Sequence, residues 1–188
     1  MFWIKKREDV GPLFLRCDIL IRLFVLGCLY LQDMKILMVC LGNICRSPLA
    51  EGILRHKLES AGIDAEVDSA GTGGWHIGEA PHKLSQSTAL RHNIDISKLK
   101  GRKFTASDMF DFDKIFVMDS ENYNDVKYIA GKDWDEEKVD LILNKSEPGR
   151  NKSVPDPWFE NTNAAFENVY QMLDKACDVI VEEIKQSL

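Results

Sequence analysis

The segment Lys35-Ile36-Leu37-Met38-Val39-Cys40-Leu41-Gly42-Asn43-Ile44-Cys45-Arg46-Ser47-Pro48 constrains this chain more than any other. Its apolar run, without polar alternation, reads as a strand buried on both faces, as parallel sheets require and surface hairpins do not. The chain then turns sharply at Gly42 and enters a helix, with Ser47 as the expected N-cap and Pro48 at the first helical position. Leu49, Ala50, Ile53, Leu54, Leu58 and Ala61 recur at three-to-four spacing, which marks one inner helical face. A buried strand passing at once into a helix is half of a βαβ unit.

The rest of the chain repeats that alternation. Gly62 ends the helix, and a second strand over 65–70 runs into Gly71-Thr72-Gly73-Gly74. Helices are predicted over 81–93 and 105–111, a third strand over 114–119, a helix over about 120–130 and a fourth strand over 139–143. A proline-containing loop spans 147–161. The final helix carries Phe166, Val169, Tyr170, Leu173, Ala176, Cys177, Ile180 and Ile184 on one stripe. Strands alternating with helices predict a single α/β domain of three layers, a parallel sheet with helices on both faces, whose site lies at the carboxyl ends of the strands.

A length of 188 residues suits one domain, and 29% charged with 45% hydrophobic residues excludes a disordered polymer and a polytopic membrane protein. The apolar excess is uneven: residues 1–33 hold 20 hydrophobic residues and a charge of +1, so the −6 of the whole becomes −7 over 34–188. An acidic body excludes a nucleic-acid partner, which needs a basic face. The apolar stretch 19–31 is too short to span a bilayer, and Arg16, Asp18 and Arg22 make a longer span costly. Lys5, Lys6 and Arg7 ahead of an uncharged run, with Val25-Leu26-Gly27-Cys28, also fit an export signal, and a peripheral helical appendage is a further alternative. The preferred reading is a start assigned too early, with 1–33 outside the fold, 34–188 the domain, and no membrane partner. Five irregularly spaced cysteines, Cys17, Cys28, Cys40, Cys45 and Cys177, suit single thiols in a reducing compartment better than a disulfide framework or a zinc site.

Chemistry concentrates between the first strand and the first helix. A loop there turns backbone N–H groups inward beside a helix N-terminus, which makes an anion cradle. Arg46 can grip two phosphate oxygens as a fork, and the same field should lower the pKa of Cys40, making it a thiolate nucleophile. A Cys and an Arg at this spacing also occur by chance, and a cysteine closing a strand is often a small buried hydrophobe. The flanking strand, Gly42, Ser47 and Pro48 favour the phosphate loop. Asp156 stands between Pro155 and Pro157, which stiffen its backbone, so its carboxyl group is a candidate proton donor to a departing oxygen; an ordinary turn aspartate is the alternative. No His/Asp metal cluster accompanies the loop, so neither metal nor cofactor is expected.

Cys40-Leu41-Gly42-Asn43-Ile44-Cys45-Arg46-Ser47-Pro48, then Asp68-Ser69-Ala70-Gly71-Thr72, Met118-Asp119 and Asp156-Pro157-Trp158, resemble in order the low-molecular-weight protein tyrosine phosphatases across 34–188. The resemblance implies a four-stranded parallel sheet in the order 2-1-3-4 and metal-independent hydrolysis of phosphotyrosine through a phosphocysteine intermediate. It casts Cys40 as nucleophile, Arg46 as the phosphoryl-binding cation, Ser47 as the hydroxyl bonded to the Cys40 sulfur, and Asp156 as acid and then base. Leu41, Gly42, Asn43, Ile44 and Cys45 complete the phosphate-binding loop, and Ser69 and His92 join Asn43 in supporting it. Cys45 resembles the second cysteine that captures an oxidised nucleophile as a reversible disulfide; a packing cysteine is the alternative. The implied setting is cytoplasmic, the partners phosphotyrosine-containing proteins, and the chain a monomer or weak dimer.

Trp75, Trp158 and Phe159 lie on loops at the same end, where they can wall a slot for an aromatic ring, with core packing the alternative. Ile44 fits the tyrosine-specific pattern, whereas arginine phosphatases of this family carry Thr there. Arsenate reductases on the same scaffold use two further cysteines downstream, and no cysteine lies between Cys45 and Cys177. A silent anion-binding regulator would lack Cys40, Arg46 or Asp156. A membrane-tethered protein built around 1–33 would need those residues translated.

Overall fold

The computed structural model describes residues 34–188. The readings of 1–33, including Cys17, Cys28 and the export-signal pattern, lie outside the described residues. Four strands, β1 (Lys35–Cys40), β2 (Glu66–Gly71), β3 (Lys114–Val117) and β4 (Val139–Leu141), form one sheet in the order β2-β1-β3-β4. All three pairings are parallel, with Met38 beside Ser69 and Phe116 at the centre of the register.

Alternation along β1 explains the layers. Ile36, Met38 and Cys40 face α1 (Arg46–Ser60) and the long α5 (Asn163–Ser187), in a core with Leu54, Phe116, Leu173 and Ile180. Leu37 and Val39 face the other way, against Phe104, Met109, Phe112 and Val126 from α3 (Asp108–Asp111), α4 (Ser120–Ala130) and their approaches. Both faces of β1 are covered, which is why its sequence is apolar from Ile36 onward. The α5 stripe read from sequence is buried at every one of its positions.

Boundaries moved where side chains found other work. α1 begins at Arg46 with Cys45 in the capping position and no side-chain cap, rather than at a Ser47 cap. Ser47 is bonded to Cys40 and Asn43 instead, and Pro48, still in the first turn, lacks only an N–H that would be orphaned anyway. β3 stops at Val117 because Asp119 caps α4, accepting the Asn122 N–H at 2.7 Å. α2 (Lys83–Arg91) starts after a His82 cap and ends before Asn93, which takes a left-handed φ of 62°. β4 passes at Leu141 into a single 3-10 turn, Ile142–Asn144.

Candidate active site

β1 ends at Cys40, and the chain folds back over its own sulfur. Asn43 takes a left-handed φ of 54°, a conformation asparagine tolerates, and its N–H donates to Cys40 Sγ at 3.2 Å. The end of β2 presses from beside: a Cβ on Gly71 would lie 2.8 Å from the Leu41 carbonyl oxygen, so only glycine fits.

A buried hydrogen-bond chain holds that shape, and its donors can be counted. Asn43 Nδ2 donates to Ser47 Oγ at 2.9 Å and Ser69 Oγ at 2.8 Å, which uses both of its protons. Ser69 spends its own proton on Glu51 Oε2 at 2.7 Å. Ser47 keeps one proton to give, and Cys40 Sγ lies at 3.0 Å against 3.4 Å for the Ala70 carbonyl. The count aims the Ser47 hydroxyl at the cysteine sulfur. Asn43 Oδ1 accepts the backbone N–H of Arg102 at 2.8 Å. At the outer end, Glu51 is ion-paired with Arg55, and burial raises its carboxyl pKa despite the lowering by Ser69 and Arg55.

Arg46 is 3% exposed and bridges three segments. One terminal nitrogen donates to Asp119 at 2.6 Å and to the Val154 carbonyl at 3.1 Å; the other reaches Asp156 Oδ2 at 3.1 Å. Burial opposes its charge, but Cys40, Asp156 and Asp119 outweigh that and raise its pKa. Asp156 is partly exposed, and its other oxygen accepts the Trp158 N–H at 3.1 Å. Cys45 is buried with Ile44 and Phe166, and burial, then the charges of Cys40 and Asp156, push its thiol up to about 12.

Above the loop a slot of about 220 Å³ is lined by Leu41, Ile44, Trp75, His76, Trp158 and Phe159, with Gly42, Cys45 and Asp156 also on its wall. Trp75 is 71% and Phe159 86% exposed, so neither is a core residue. Trp158 is flanked by the rings of His82 at 5.4 Å and His76 at 6.2 Å.

Of the residues singled out from sequence, His92 alone stands apart. It caps the far end of α2, stacks on Tyr170 at 3.7 Å and bonds Glu167 at 2.8 Å. The near end of α2 touches the loop, where the His82 N–H donates to the Ile44 carbonyl at 2.7 Å, and nine helical residues carry His92 about 13 Å beyond it. The Arg102 N–H supports Asn43 in its stead. Sequence reasoning quoted Asp119 within Met118-Asp119 without giving it a role, and it passed over Glu51, His76 and His82. Asp119 had a readable signal, an acidic residue at a strand's carboxyl end opening a helix; Glu51 had none, because its partners come from β2 and its own helix. Among the described residues, no three His, Cys, Asp or Glu side chains are grouped to hold a metal ion, and no helix is long and apolar enough to cross a membrane.

Comparison with known proteins gives a consistent match. The family model described as low molecular weight phosphotyrosine protein phosphatase matches residues 35–188. The low molecular weight protein-tyrosine-phosphatase YfkJ of Bacillus subtilis is 36% identical over 154 residues, covering 81% of this chain and 96% of that one. Its crystal structure superposes with a TM-score of 0.76 over 82% of this chain and 96% of its own. PtpA of Staphylococcus aureus, also described as a low molecular weight protein-tyrosine-phosphatase, is 40% identical over 147 residues, 78% of this chain and 90% of that one. The Drosophila arginine phosphatase DARP matches with a TM-score of 0.75 and 30% identity, covering 81% of this chain and 98% of its own.

Proposed function

This chain belongs to the low molecular weight phosphotyrosine protein phosphatase family and is an enzyme of that class, and from that premise we propose that Cys40, Arg46 and Asp156 carry out metal-independent hydrolysis of phosphotyrosine through a phosphocysteine. One observation carries the reading. Arg46, six residues after Cys40 in sequence, meets Asp156 at 3.1 Å across 110 residues of sequence and feels the charges of both Cys40 and Asp156, which supports nucleophile, cation and acid acting together.

The phosphoryl group enters with its oxygens toward Arg46, which exchanges its contact with Asp156 for the incoming dianion. The Cys40 thiolate attacks phosphorus as the bond to the tyrosine oxygen breaks, and Asp156 gives that oxygen its proton. Arg46 and the loop N–H groups meet the charge on the equatorial oxygens. Asp156, now a carboxylate, takes a proton from water that attacks the phosphocysteine; phosphate leaves with one oxygen from water, and Ser47 donates to the departing sulfur. Trp75, Trp158 and Phe159 clasp the ring.

We assign the phosphatase domain to 34–188 and give 1–33 no part in the reaction. We propose that Cys45 condenses with an oxidised Cys40, sulfenic acid plus thiol giving a disulfide and water, a reading supported by the Cys40 charge felt at the Cys45 thiol. Oxidation of Cys40 removes the negative charge that, after burial, holds the Cys45 thiol high. A thiolate nucleophile suits a reducing cytoplasm, the partners are phosphotyrosine-containing proteins, and nothing in the steps requires more than a monomer or weak dimer. Ile44 lining the slot supports phosphotyrosine over phosphoarginine.

The test is hydrolysis of p-nitrophenyl phosphate and phosphotyrosine by the full chain, with and without EDTA. Turnover indifferent to EDTA, lost in Cys40→Ser, is expected. Loss to EDTA with restoration by a divalent ion, or faster turnover of phosphoarginine than phosphotyrosine, contradicts the reading.

A further inference from the structure

Trp158 has two sides. One faces the slot; the other walls an open cleft of about 580 Å³ that also shares Ile44 and His76 with the slot and continues past His82 to Lys83, Gln86 and Lys100. The cleft is tied to the phosphate loop. The His82 N–H and the Ser85 hydroxyl donate to the Ile44 and Cys45 carbonyls at 2.7 and 3.1 Å, which anchors the start of α2 on the loop. Across the cleft, the Gly78 N–H bonds the Gly101 carbonyl at 2.7 Å and the Gly101 N–H bonds the Glu79 carbonyl at 2.8 Å. A Cβ on Gly101 would fall 2.5 Å from the His76 carbonyl oxygen, so the segment carrying Lys100 lies hard against the loop carrying His76.

Its charge departs from that of the body. Residues 34–188 carry −7, yet the cleft presents Lys83 and Lys100, neither ion-paired among the described residues. Its acidic side chain, Glu79, is engaged by His76 Nδ1 at 2.9 Å. Lys83 also stands in the first turn of α2, where the helix dipole adds positive potential rather than cancelling it. Two unpaired cations beside an aromatic wall suit a carboxylate on an extended chain.

We propose that this cleft is the subsite for residues flanking the phosphotyrosine of a polypeptide substrate, and that Lys83 and Lys100 select acidic side chains there. The inference rests on the phosphatase reading and names the substrate it prefers. With the phosphotyrosine ring in the slot, the backbone emerges at the rim, and neighbouring residues are spaced about 3.8 Å apart at Cα. A neighbour on the Trp158 side therefore passes directly over the shared wall into the cleft. His82, its ring stacked on Phe166 at 5.2 Å and edge-on to Trp158, keeps that wall upright.

The experiment measures kcat/KM of the full chain on three phosphotyrosyl peptides differing only in flanking residues, Asp, Ala or Lys, with p-nitrophenyl phosphate as a probe that reaches only the slot. The wild type is expected to prefer the Asp peptide over the Lys peptide by about tenfold, since each exposed pair contributes about two- to fivefold. The preference should shrink in about 0.5 M salt, where screening is effective within roughly 4 Å. K83E/K100E should remove or reverse it while turnover of p-nitrophenyl phosphate stays within about twofold. A K83Q/K100Q chain, free of new repulsion, should treat the three peptides alike. An Asp preference unchanged in both variants overturns the subsite, as does a wild type that does not discriminate. If the wild type hydrolyses neither peptides nor p-nitrophenyl phosphate, the phosphatase reading fails and the subsite falls with it.

Discussion

The two ends of the sheet handle charge in opposite ways. At the amino ends of the strands, Lys35 pairs with Glu66 at 2.9 Å and Lys145 with Glu183 at 2.7 Å, with the acidic partners more than half exposed. At the carboxyl ends Arg46, Asn43, Ser47, Ser69 and Glu51 are all buried, and each has hydrogen-bond partners. Exposed pairs cost little to form and contribute little. Buried polar groups are tolerated only when fully partnered, and losing one partner costs far more than the bond itself contributes. The network at the carboxyl end is thus the part of the molecule least tolerant of change.

The largest expected contrast comes from substituting one cation at each end. Arg46→Lys keeps a charge but loses the fork, so kcat should fall about 10²- to 10³-fold, whereas Lys145→Ala should leave kcat unchanged and shift stability by less than about 1 kcal/mol. Steady-state kinetics and urea unfolding on the two variants check this; comparable effects at both ends would break the comparison.

Next in size is Glu51→Gln. The amide can still accept the Ser69 proton, but the charge facing Arg55 is gone. A fall in kcat of about tenfold is expected, with about 1–3 kcal/mol of lost stability. Unchanged kinetics would show that the hydrogen-bond chain ends at Ser69 in effect.

The remaining effect is on pH dependence. Burial pushes the Cys45 thiol from its ordinary 9 up to about 12 and raises Cys177 as well. A raised folded pKa gives stability that is fully present below the unfolded pKa and declines as pH climbs from about 9 toward 12, because the unfolded chain ionises first. Urea midpoints should therefore drop across that window, and Cys45→Ala should flatten part of the drop. A midpoint constant up to pH 11 would contradict the burial of these thiols.

The same contrast explains what was legible in sequence. Local signals sufficed for β1, whose apolar run reports burial on both faces, and for the α5 stripe. They sufficed also to bring Cys40, Arg46, Ser47 and Asn43 into one loop, because those residues are neighbours in sequence. They failed where partners are distant. His92 came only from the resemblance, and the course of α2 shows that it faces Tyr170 and Glu167. Asp119 and Glu51 act through Arg46 and Ser69, 73 and 18 residues away. The Arg102 contribution is a backbone N–H, which no side-chain pattern can announce.

The most direct test of the account is to trap the intermediate. The Asp156→Ala chain, deprived of the base that activates water, is mixed with p-nitrophenyl phosphate, quenched in acid within milliseconds to seconds, digested and read by mass spectrometry. The account predicts a phosphate-mass increment on the peptide carrying Cys40, located on Cys40 itself and absent from Cys40→Ser. Product release with no increment at any time, or an increment on another residue, would contradict it.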